Sequence, residues 1–276
     1  MQKSDNKSLI FRQTLEISLV AAWFSRLRIQ NCNLRYSQTA LLSTMPMPQP
    51  DSPAQLDPQP AALPEAILLA ATGGLLDAIV YLNDGHVFAN AMTGNIVFLG
   101  IAILGRNWDK IIPHLVPLVG FFAGVTTSKH LRTRLSIHLV LFGLGLEIVT
   151  IFVLGWLPRS FPQMALTGII AYVAAFQVAS FRRVDRFAYN STFLTGNLRD
   201  VAEGLYDGLA PYSTLEMRER GRTQARDLGL ICLCFLVGAI LGAWAAPRLG
   251  NHSLWLAEPL LLTVAVNVFR NRPSTA

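Results

Sequence analysis

Acidic side chains inside apolar stretches are the residues of this 276-residue sequence best suited to chemistry. Glu147 lies at the centre of the apolar run 137–157, and Asp77 lies in the run 66–82. Because a carboxyl group is costly to bury in a membrane, each is a candidate proton or cation site. Glu258 lies near the start of the last apolar run, where water at a membrane surface could solvate it. Asp77 also lies nearer a membrane end than Glu147 does, so water could solvate it too. The alternative for Glu147 is a neutral, hydrogen-bonded packing group.

A Thr-Gly-Asn tripeptide occurs twice, each time before a helix-like run. Its residues are Thr93, Gly94 and Asn95 in the first copy and Thr195, Gly196 and Asn197 in the second. Thr and Asn are good helix-capping residues, and glycine lets the backbone bend or approach a neighbour. Broken helices in membrane repeats often form solute or ion sites, because half-helix N-termini carry partial positive charge. We therefore expect the two copies to line a central site; a capped packing turn is the alternative.

Asn90 and Gln177 are the remaining polar candidates: such amides link membrane helices by hydrogen bonds, and contact with a solute is the second interpretation. No HExxH, GxSxG or Walker pattern is present, and the five histidines and three cysteines have no metal-ligand spacing. We therefore expect no catalytic residue, no metal site and no cofactor. An intramembrane enzyme is the least supported class.

The composition indicates a membrane protein. Hydrophobic residues make up 52% of the chain and charged residues 14%, and the mean hydropathy is +0.40. Soluble domains have roughly 25% charged residues. The net charge of +6 is distributed in short basic clusters between apolar stretches, which is the arrangement that sets membrane topology. A nucleic-acid partner is therefore not expected, and the expected partners are the lipid bilayer and a small solute.

Residues 1–64 differ in character from the rest of the chain. Basic residues outnumber acidic ones in 1–44, and residues 46–64 carry seven prolines. The proline-rich part predicts an extended, flexible linker. Residues 1–44 have three interpretations: a mitochondrial-type presequence, a disordered or weakly amphipathic cytosolic tail, or sequence that precedes a translation start at Met45 or Met47.

Residues 65–160 and 161–272 are predicted to form two related membrane repeats. Thr93 and Thr195 are 102 residues apart, and the two GxxxG pairs are 118 residues apart. The pairs are Gly120 with Gly124 and Gly238 with Gly242, a pattern typical of close helix packing in lipid. The larger offset of the second pattern predicts a longer polar loop at residues 211–227.

Two topologies compete. If every apolar run crosses the membrane, the chain has eight spans, with nine Lys and Arg in the loops of one side and seven on the other. If the two Thr-Gly-Asn segments are re-entrant or short helices, six spans remain, and the counts become twelve and four. Because cytoplasmic loops are enriched in Lys and Arg, the second distribution defines an orientation with both termini in the cytoplasm. We therefore expect an all-α polytopic protein with six spanning helices and two pseudo-symmetric, inverted halves.

Several segments resemble those of the YoaK-like integral membrane family, a family without an assigned function that is found in bacteria and fungi. They are residues 74–78 (GLLDA), 88–95 (FANAMTGN), Gln177, 181–183 (FRR) and 192–198 (TFLTGNL). The resemblance extends over about residues 65–272. It implies a multi-span membrane protein of a kind often described as a transporter or permease, and it supplies no substrate.

The leading functional expectation is a secondary transporter or channel-like permease for a small solute, with Glu147 or Asp77 serving proton coupling. The alternative is a non-transporting scaffold or lipid-binding protein that assembles through its GxxxG faces. Its partner in such an assembly could be a second copy of the same chain. As an integral, multi-pass protein it is expected in the plasma membrane, with an organellar membrane as the alternative.

Overall fold

The computed structural model describes residues 62–135, 139–180, 183–184, 187–188, 194–211 and 213–270. Most of the predicted tail and linker, residues 1–61, lies outside the described residues, as does part of the basic loop 181–186. The described chain is helical, as the sequence predicts, apart from one pair of two-residue strands.

The elements follow one another in chain order as eight α-helices, one 3₁₀-helix and two short strands over the described ranges. They are α1 (Leu63–Asn83), α2 (Met92–Leu104), α3 (Trp108–Leu135), α4 (Leu139–Trp156), α5 (Gln163–Ser180), β1 (Arg183–Val184), β2 (Phe187–Ala188), α6 (Leu194–Leu209), α7 (Leu215–Leu249), the 3₁₀-helix (Gly250–Ala257) and α8 (Glu258–Arg270). The strands pair antiparallel, with Arg183 opposite Ala188.

Five segments are long and apolar enough to cross a membrane. They are Leu63–Asn83, Trp108–Arg132, Leu139–Trp156, Gln163–Ser180 and the 56-residue segment Leu215–Arg270. The last segment contains α7, the 3₁₀-helix and α8, and the chain turns between the two α-helices at Gly250, whose φ is 57°. With 13 residues, α2 is shorter than the roughly 17 residues that a helix needs to span a bilayer.

Residues 215–227 are helical, so the prediction of a polar loop at 211–227 is wrong for most of its length. The side chain of Thr214 accepts a hydrogen bond from the backbone N–H of Met217 and caps α7, which then continues unbroken into its apolar part. The polar first third of α7 packs antiparallel against α6. There a Cβ added at Gly204 would lie 2.7 Å from the Gly221 carbonyl oxygen, so only glycine permits this close approach.

Two close helix pairs make up most of the bundle. Gly120 and Gly124 on α3 face the backbone of α5, and a Cβ at Gly120 would lie 2.5 Å from the Gly168 carbonyl oxygen. Gly238 and Gly242 on α7 face the backbone of α1, and a Cβ at Gly242 would lie 2.5 Å from the Leu75 carbonyl oxygen. In both pairs, a contact later in one helix faces a residue later in the other helix. The two helices of each pair therefore run parallel.

The helices α1 and α5 run in opposite directions. Asp84, directly after α1, accepts a hydrogen bond of 3.0 Å from the Thr167 hydroxyl, near the start of α5. At the other end of the pair, Leu69 of α1 and Gln177 of α5 line the same small cavity. The end of α1 therefore lies beside the beginnings of α3 and α5, and residues from all three line one cleft.

Replacing the contact glycines by alanine should destabilise the protein. In Gly120→Ala and in Gly242→Ala the new methyl group meets a backbone oxygen of the neighbouring helix, and overpacking of this kind costs about 1–3 kcal/mol. Thermal unfolding in detergent, followed by tryptophan fluorescence, measures the loss. Gly229→Ala on α7 is the matched control, because a Cβ there has nothing within 4 Å. Wild-type Tm values for both contact variants would contradict the packing described here.

Candidate functional site

The chain between α1 and α2 turns back along α1 as a non-helical segment. The turn is made by Gly85 and His86, which have φ values of 78° and 66°. The backbone N–H of Asn90 then donates to Asp77 Oδ1 at 2.7 Å, and Asn90 Nδ2 donates to the Gly73 carbonyl oxygen at 3.4 Å. Gly73 precedes the end of α1 by ten residues, which is about 15 Å along the helix axis. The segment thus reaches the middle of α1 before α2 begins.

Asn95 joins this segment to α2. Its Oδ1 accepts from the Phe88 backbone N–H at 3.0 Å, and its Nδ2 donates to the Phe88 carbonyl oxygen at 2.7 Å. The Asn95 side chain is buried, whereas Thr93 is exposed, and a Cβ at Gly94 would lie 2.9 Å from the Phe88 ring. The residue that precedes α2 is Ala91, and no side chain caps this helix. In the first Thr-Gly-Asn copy, Asn95 therefore ties the loop to the start of α2 by hydrogen bonds to Phe88, and the copy does not supply the expected helix cap.

The second Thr-Gly-Asn copy lies in the first turn of α6. Asn197 is buried, while Thr195 and Gly196 are exposed. Farther along this helix, the Asp200 carbonyl oxygen accepts a hydrogen bond of 3.0 Å from Gln224 Nε2 on the polar part of α7. Phe193 and the residues just before it lie outside the described part of the chain.

A small buried cavity brings together several of the polar residues that the sequence singled out. Its volume is about 10 Å³, and α1, the loop after α1, α4 and α5 all contribute to its lining. The lining residues are Leu69, Thr72, Gly73, Leu76, Asn90, Glu147, Ala174 and Gln177. Neither Thr-Gly-Asn copy is among them, and Asp77 lies one hydrogen bond away through Asn90. We call Asp77, Asn90, Glu147 and Gln177 the central polar cluster.

Two polar atoms of this cluster have no hydrogen-bond partner. They are Glu147 Oε2 and Gln177 Nε2, in side chains that are 2% and 4% exposed. Buried polar atoms are nearly always paired, and a cavity of this size is just sufficient for one water molecule. The two atoms are therefore suited to a bound water, a transferred proton or a polar group that enters the cavity.

Glu147 has an acidic neighbour and no cationic partner among the described residues. No Lys or Arg forms an ion pair with Glu147 within the described residues, and Glu258 on α8 is close enough for the two acids to interact electrostatically. Glu258 Oε1 likewise lacks a partner. Over the described residues no three His, Cys, Asp or Glu side chains are placed to hold a metal ion. The cluster is therefore chemically suited to a proton or to a positively charged or hydrogen-bonding group.

A second group of polar residues, which no sequence pattern indicated, lies at the C-terminal end of α1. Asp84, His114 and Gln163 come from three different elements and line a cleft of about 790 Å³. Burial raises the pKa of Asp84 from its usual 3.8 to about 7, although the hydrogen bond from Thr167 acts in the opposite direction. In the sequence, Asp84 stands beside a glycine at the end of an apolar run and looks like an ordinary turn residue. The hydrogen bond between Asp84 and Thr167 joins positions far apart in the chain, so the sequence around Asp84 does not indicate it.

The fold and the site together define a polytopic helical membrane protein in which a hairpin, made of the non-helical residues 84–91 and α2, lies beside the central polar cluster. A family model described as a protein of unknown function, DUF1275, matches residues 66–267, and the chain belongs to this family. The UPF0700 transmembrane protein YoaK of Bacillus subtilis (strain 168) is 30% identical over 209 residues, which are 72% of this chain and 89% of that protein. No solved structure matches the chain. The resemblance to the YoaK-like family is thereby confirmed.

Loss of the Asn95 amide should destabilise the hairpin. Asn95→Ala removes both hydrogen bonds to the half-buried Phe88 backbone, and at about 0.5–1.5 kcal/mol for each bond the loss is about 1–3 kcal/mol. The Tm in detergent should therefore fall. Thr93→Ala, two residues earlier on the exposed side of the same turn, is the matched control and should unfold like the wild type. Equal Tm values for Asn95→Ala and Thr93→Ala would show that the hydrogen bonds between Asn95 and Phe88 do not stabilise the loop.

Proposed function

We propose that this protein is a membrane transporter or permease for a small solute, with the central polar cluster as its coupling site. The observation that carries the proposal is the pair of unpartnered atoms, Glu147 Oε2 and Gln177 Nε2, in one buried cavity. A buried carboxyl group without a cationic partner is costly in the membrane interior, and such acids commonly mark proton or ion pathways. A site that takes up and releases a proton as the solute passes requires such an acid.

The proposed topology has six spans, α1, α3, α4, α5, α7 and α8 with its preceding 3₁₀-helix, and α2 as the helical arm of a re-entrant hairpin. It is supported by the short length of α2, by the return of Asn90 to the level of Gly73, and by the common end shared by α1, α3 and α5. In an eight-span chain α3 would begin at the opposite end of the bundle from the point where α1 stops.

The inverted repeat is supported by the way the two halves exchange partners. The first helix of the first half packs on the GxxxG helix of the second half, because Leu75 faces Gly242. The first helix of the second half packs in turn on the GxxxG helix of the first half, because Tyr172 faces Gly124. A two-fold axis in the membrane plane would produce such an exchange, and transporters with inverted repeats place their sites near this axis.

The proposed orientation puts the common end of α1, α3 and α5 on the non-cytoplasmic side. Four tryptophans lie at or near that end, consistent with their preference for membrane interfaces. They are Trp108 at the start of α3, Trp156 at the end of α4, Trp244 near the end of α7 and Trp255 in the 3₁₀-helix. The opposite end carries Lys129, Arg132 and the basic start of α7, as expected for the cytoplasmic side. We propose the plasma membrane as the location.

The hairpin provides the moving part of the proposed mechanism. Asn90 touches both α1 and the cavity. A shift of the segment 87–91 would therefore break its bonds to Asp77 and Gly73 and open the cavity toward the cleft at the C-terminal end of α1. Glu147 then exchanges its proton with that side. The scaffold alternative relied on free GxxxG faces, and in this structure the four glycines face α5 and α1 of the same chain. This observation favours transport over assembly through those faces.

Replacing the Glu147 carboxyl should abolish proton coupling. In proteoliposomes that contain a trapped pH dye, a mixture of amino acids, sugars and polyols is added outside, and solute-dependent acidification is recorded. We expect Glu147→Gln, which keeps the size and hydrogen-bonding shape of the side chain, to reduce the signal at least about tenfold, as loss of an essential proton carrier would.

Glu219→Gln, on an exposed turn of α7, is the matched control and should retain the wild-type signal. The proposed function is wrong if Glu147→Gln acidifies the vesicles as fast as the control. It is equally wrong if correctly folded wild-type protein produces no solute-dependent proton entry with any component of the mixture.

A further inference from the structure

The cleft of about 790 Å³ lies between the C-terminal end of α1, the C-terminal half of α2 and the beginnings of α3 and α5. Pockets for small organic ligands commonly have volumes of about 300–1,000 Å³. The cleft is separate from the central cavity, and none of the four residues of the central polar cluster lines it. Its size and its position at the mouth of the bundle are those of a ligand site rather than of a packing defect.

Four buried polar atoms without a hydrogen-bond partner belong to side chains that line this cleft. They are Asn83 Nδ2, Asp84 Oδ1, His114 Nδ1 and Gln163 Oε1. Asp84 and His114 are each only 7% exposed, so bulk water does not readily satisfy them. Since buried polar groups nearly always have partners, these atoms point to a ligand that supplies both donors and acceptors.

The side chains around the cleft carry charges of both signs. Asp84 and Asp109 contribute two carboxyl groups, and Lys110 contributes an ammonium group, with His86 and His114 beside them. The part of α5 that lines the cleft is formed by Gln163 and Met164 and has no charge. A ligand with a large net charge of either sign would lack compensation here, whereas a dipolar ligand without net charge would not.

Aromatic rings close the apolar side of the cleft. The Phe98 ring of α2 stacks on the His114 ring with centroids 5.4 Å apart, and the Tyr81 ring of α1 contacts the His86 ring edge-on at 5.0 Å. Rings of this kind offer faces for the carbon skeleton of a ligand and for a cationic group. The cleft thus combines an apolar wall of stacked rings with polar atoms that have no hydrogen-bond partner.

We propose that this outer cleft binds a small zwitterionic solute of the amino-acid type. Asp84 and Gln163 take its ammonium group, and Asn83 and Lys110 take its carboxylate. The proposal deepens the proposed function by naming the solute class, and only the transport step rests on that function. Binding in the cleft rests on the unpartnered atoms of Asn83, Asp84 and Gln163 and on the Lys110 ammonium group, not on transport.

The test is thermal unfolding of the full chain in detergent with each of the twenty common amino acids. We expect at least one amino acid to raise the Tm by several degrees, on the order of 3 °C at a saturating concentration. For each such amino acid, the amine that lacks its carboxylate and the acid that lacks its ammonium group should bind at least about tenfold more weakly. An amine or acid that stabilises the protein equally well would overturn the zwitterion assignment.

Two variants test the assigned residues. Asp84→Asn keeps an acceptor for the Thr167 hydroxyl, and Lys110→Gln alters an exposed side chain, so both should fold. Each should lower the affinity for the stabilising amino acid at least about tenfold, as loss of a charge-assisted hydrogen bond does. Glu219→Gln at the opposite end of the bundle should bind like the wild type. Unchanged affinity in both cleft variants, or no stabilisation of folded wild-type protein by any amino acid, would overturn the proposal.

The Glu147→Gln variant separates this proposal from the proposed function. If the cleft and the coupling site are both assigned correctly, Glu147→Gln loses flux and keeps the amino-acid shift of the Tm. Flux that persists in Asp84→Asn with unchanged affinity contradicts the cleft and leaves the coupling site standing. Amino-acid binding together with undiminished flux in Glu147→Gln contradicts the coupling site and leaves the cleft standing.

Discussion

The hydrogen bond from the Asn90 backbone to the Asp77 carboxyl, 2.7 Å long, is the interaction on which the rest of the site depends. A chain that leaves its helix inside a membrane exposes polar backbone groups, and only protein or trapped water can satisfy them there. The Asp77 carboxyl accepts from the Asn90 N–H, and the Asn95 amide pairs with both the N–H and the carbonyl oxygen of Phe88. The Asn90 side chain in turn donates to the Gly73 carbonyl oxygen. The loop is thereby held against the middle of α1, and its Asn90 side chain reaches the cavity that Glu147 and Gln177 also line.

Close helix crossings provide the rigid frame around this loop. The pairs α1 with α7 and α3 with α5 approach so closely that backbone faces backbone at glycine, which membrane helices exploit because lipid supplies no hydrophobic force between them. The helix α4, which carries Glu147, packs against α5 and the last helical segment, with Phe152 stacked on Trp255 and Asn251 bonded to the Leu157 carbonyl oxygen at 3.0 Å. The acid therefore sits between rigid elements, whereas its neighbour Asn90 belongs to a loop held by a few hydrogen bonds.

The helices were predictable because apolar runs bounded by polar breaks carry a strong local signal, and the GxxxG pairs were predictable because only close packing requires them at that spacing. Asp77, Asn90, Glu147 and Gln177 could be singled out because polar residues inside apolar runs are rare, and the structure places them in and beside one cavity. The role of Asn95 was not predicted, because asparagine is equally suited to cap a helix and to hydrogen-bond the backbone of a neighbouring loop.

Residues 211–227 were expected to form a loop, since their polarity masked a helix that α6 stabilises through glycine contacts. The cleft was missed because its polar residues lie on separate elements, and Asp84 and Thr167 are 83 positions apart.

The central claim is that the first Thr-Gly-Asn segment returns to the side of the membrane from which it entered. Single cysteines at Asp109, Ser160, Thr214 and His252, on a background without Cys32, Cys232 and Cys234, can be labelled in intact cells by a thiol reagent that does not cross membranes. The six-span topology predicts labelling from outside at Asp109, Ser160 and His252 and protection at Thr214. If Thr214 shares the labelling of Asp109 and Ser160, while His252 lies on the other side, the chain has eight spans and the re-entrant hairpin does not exist.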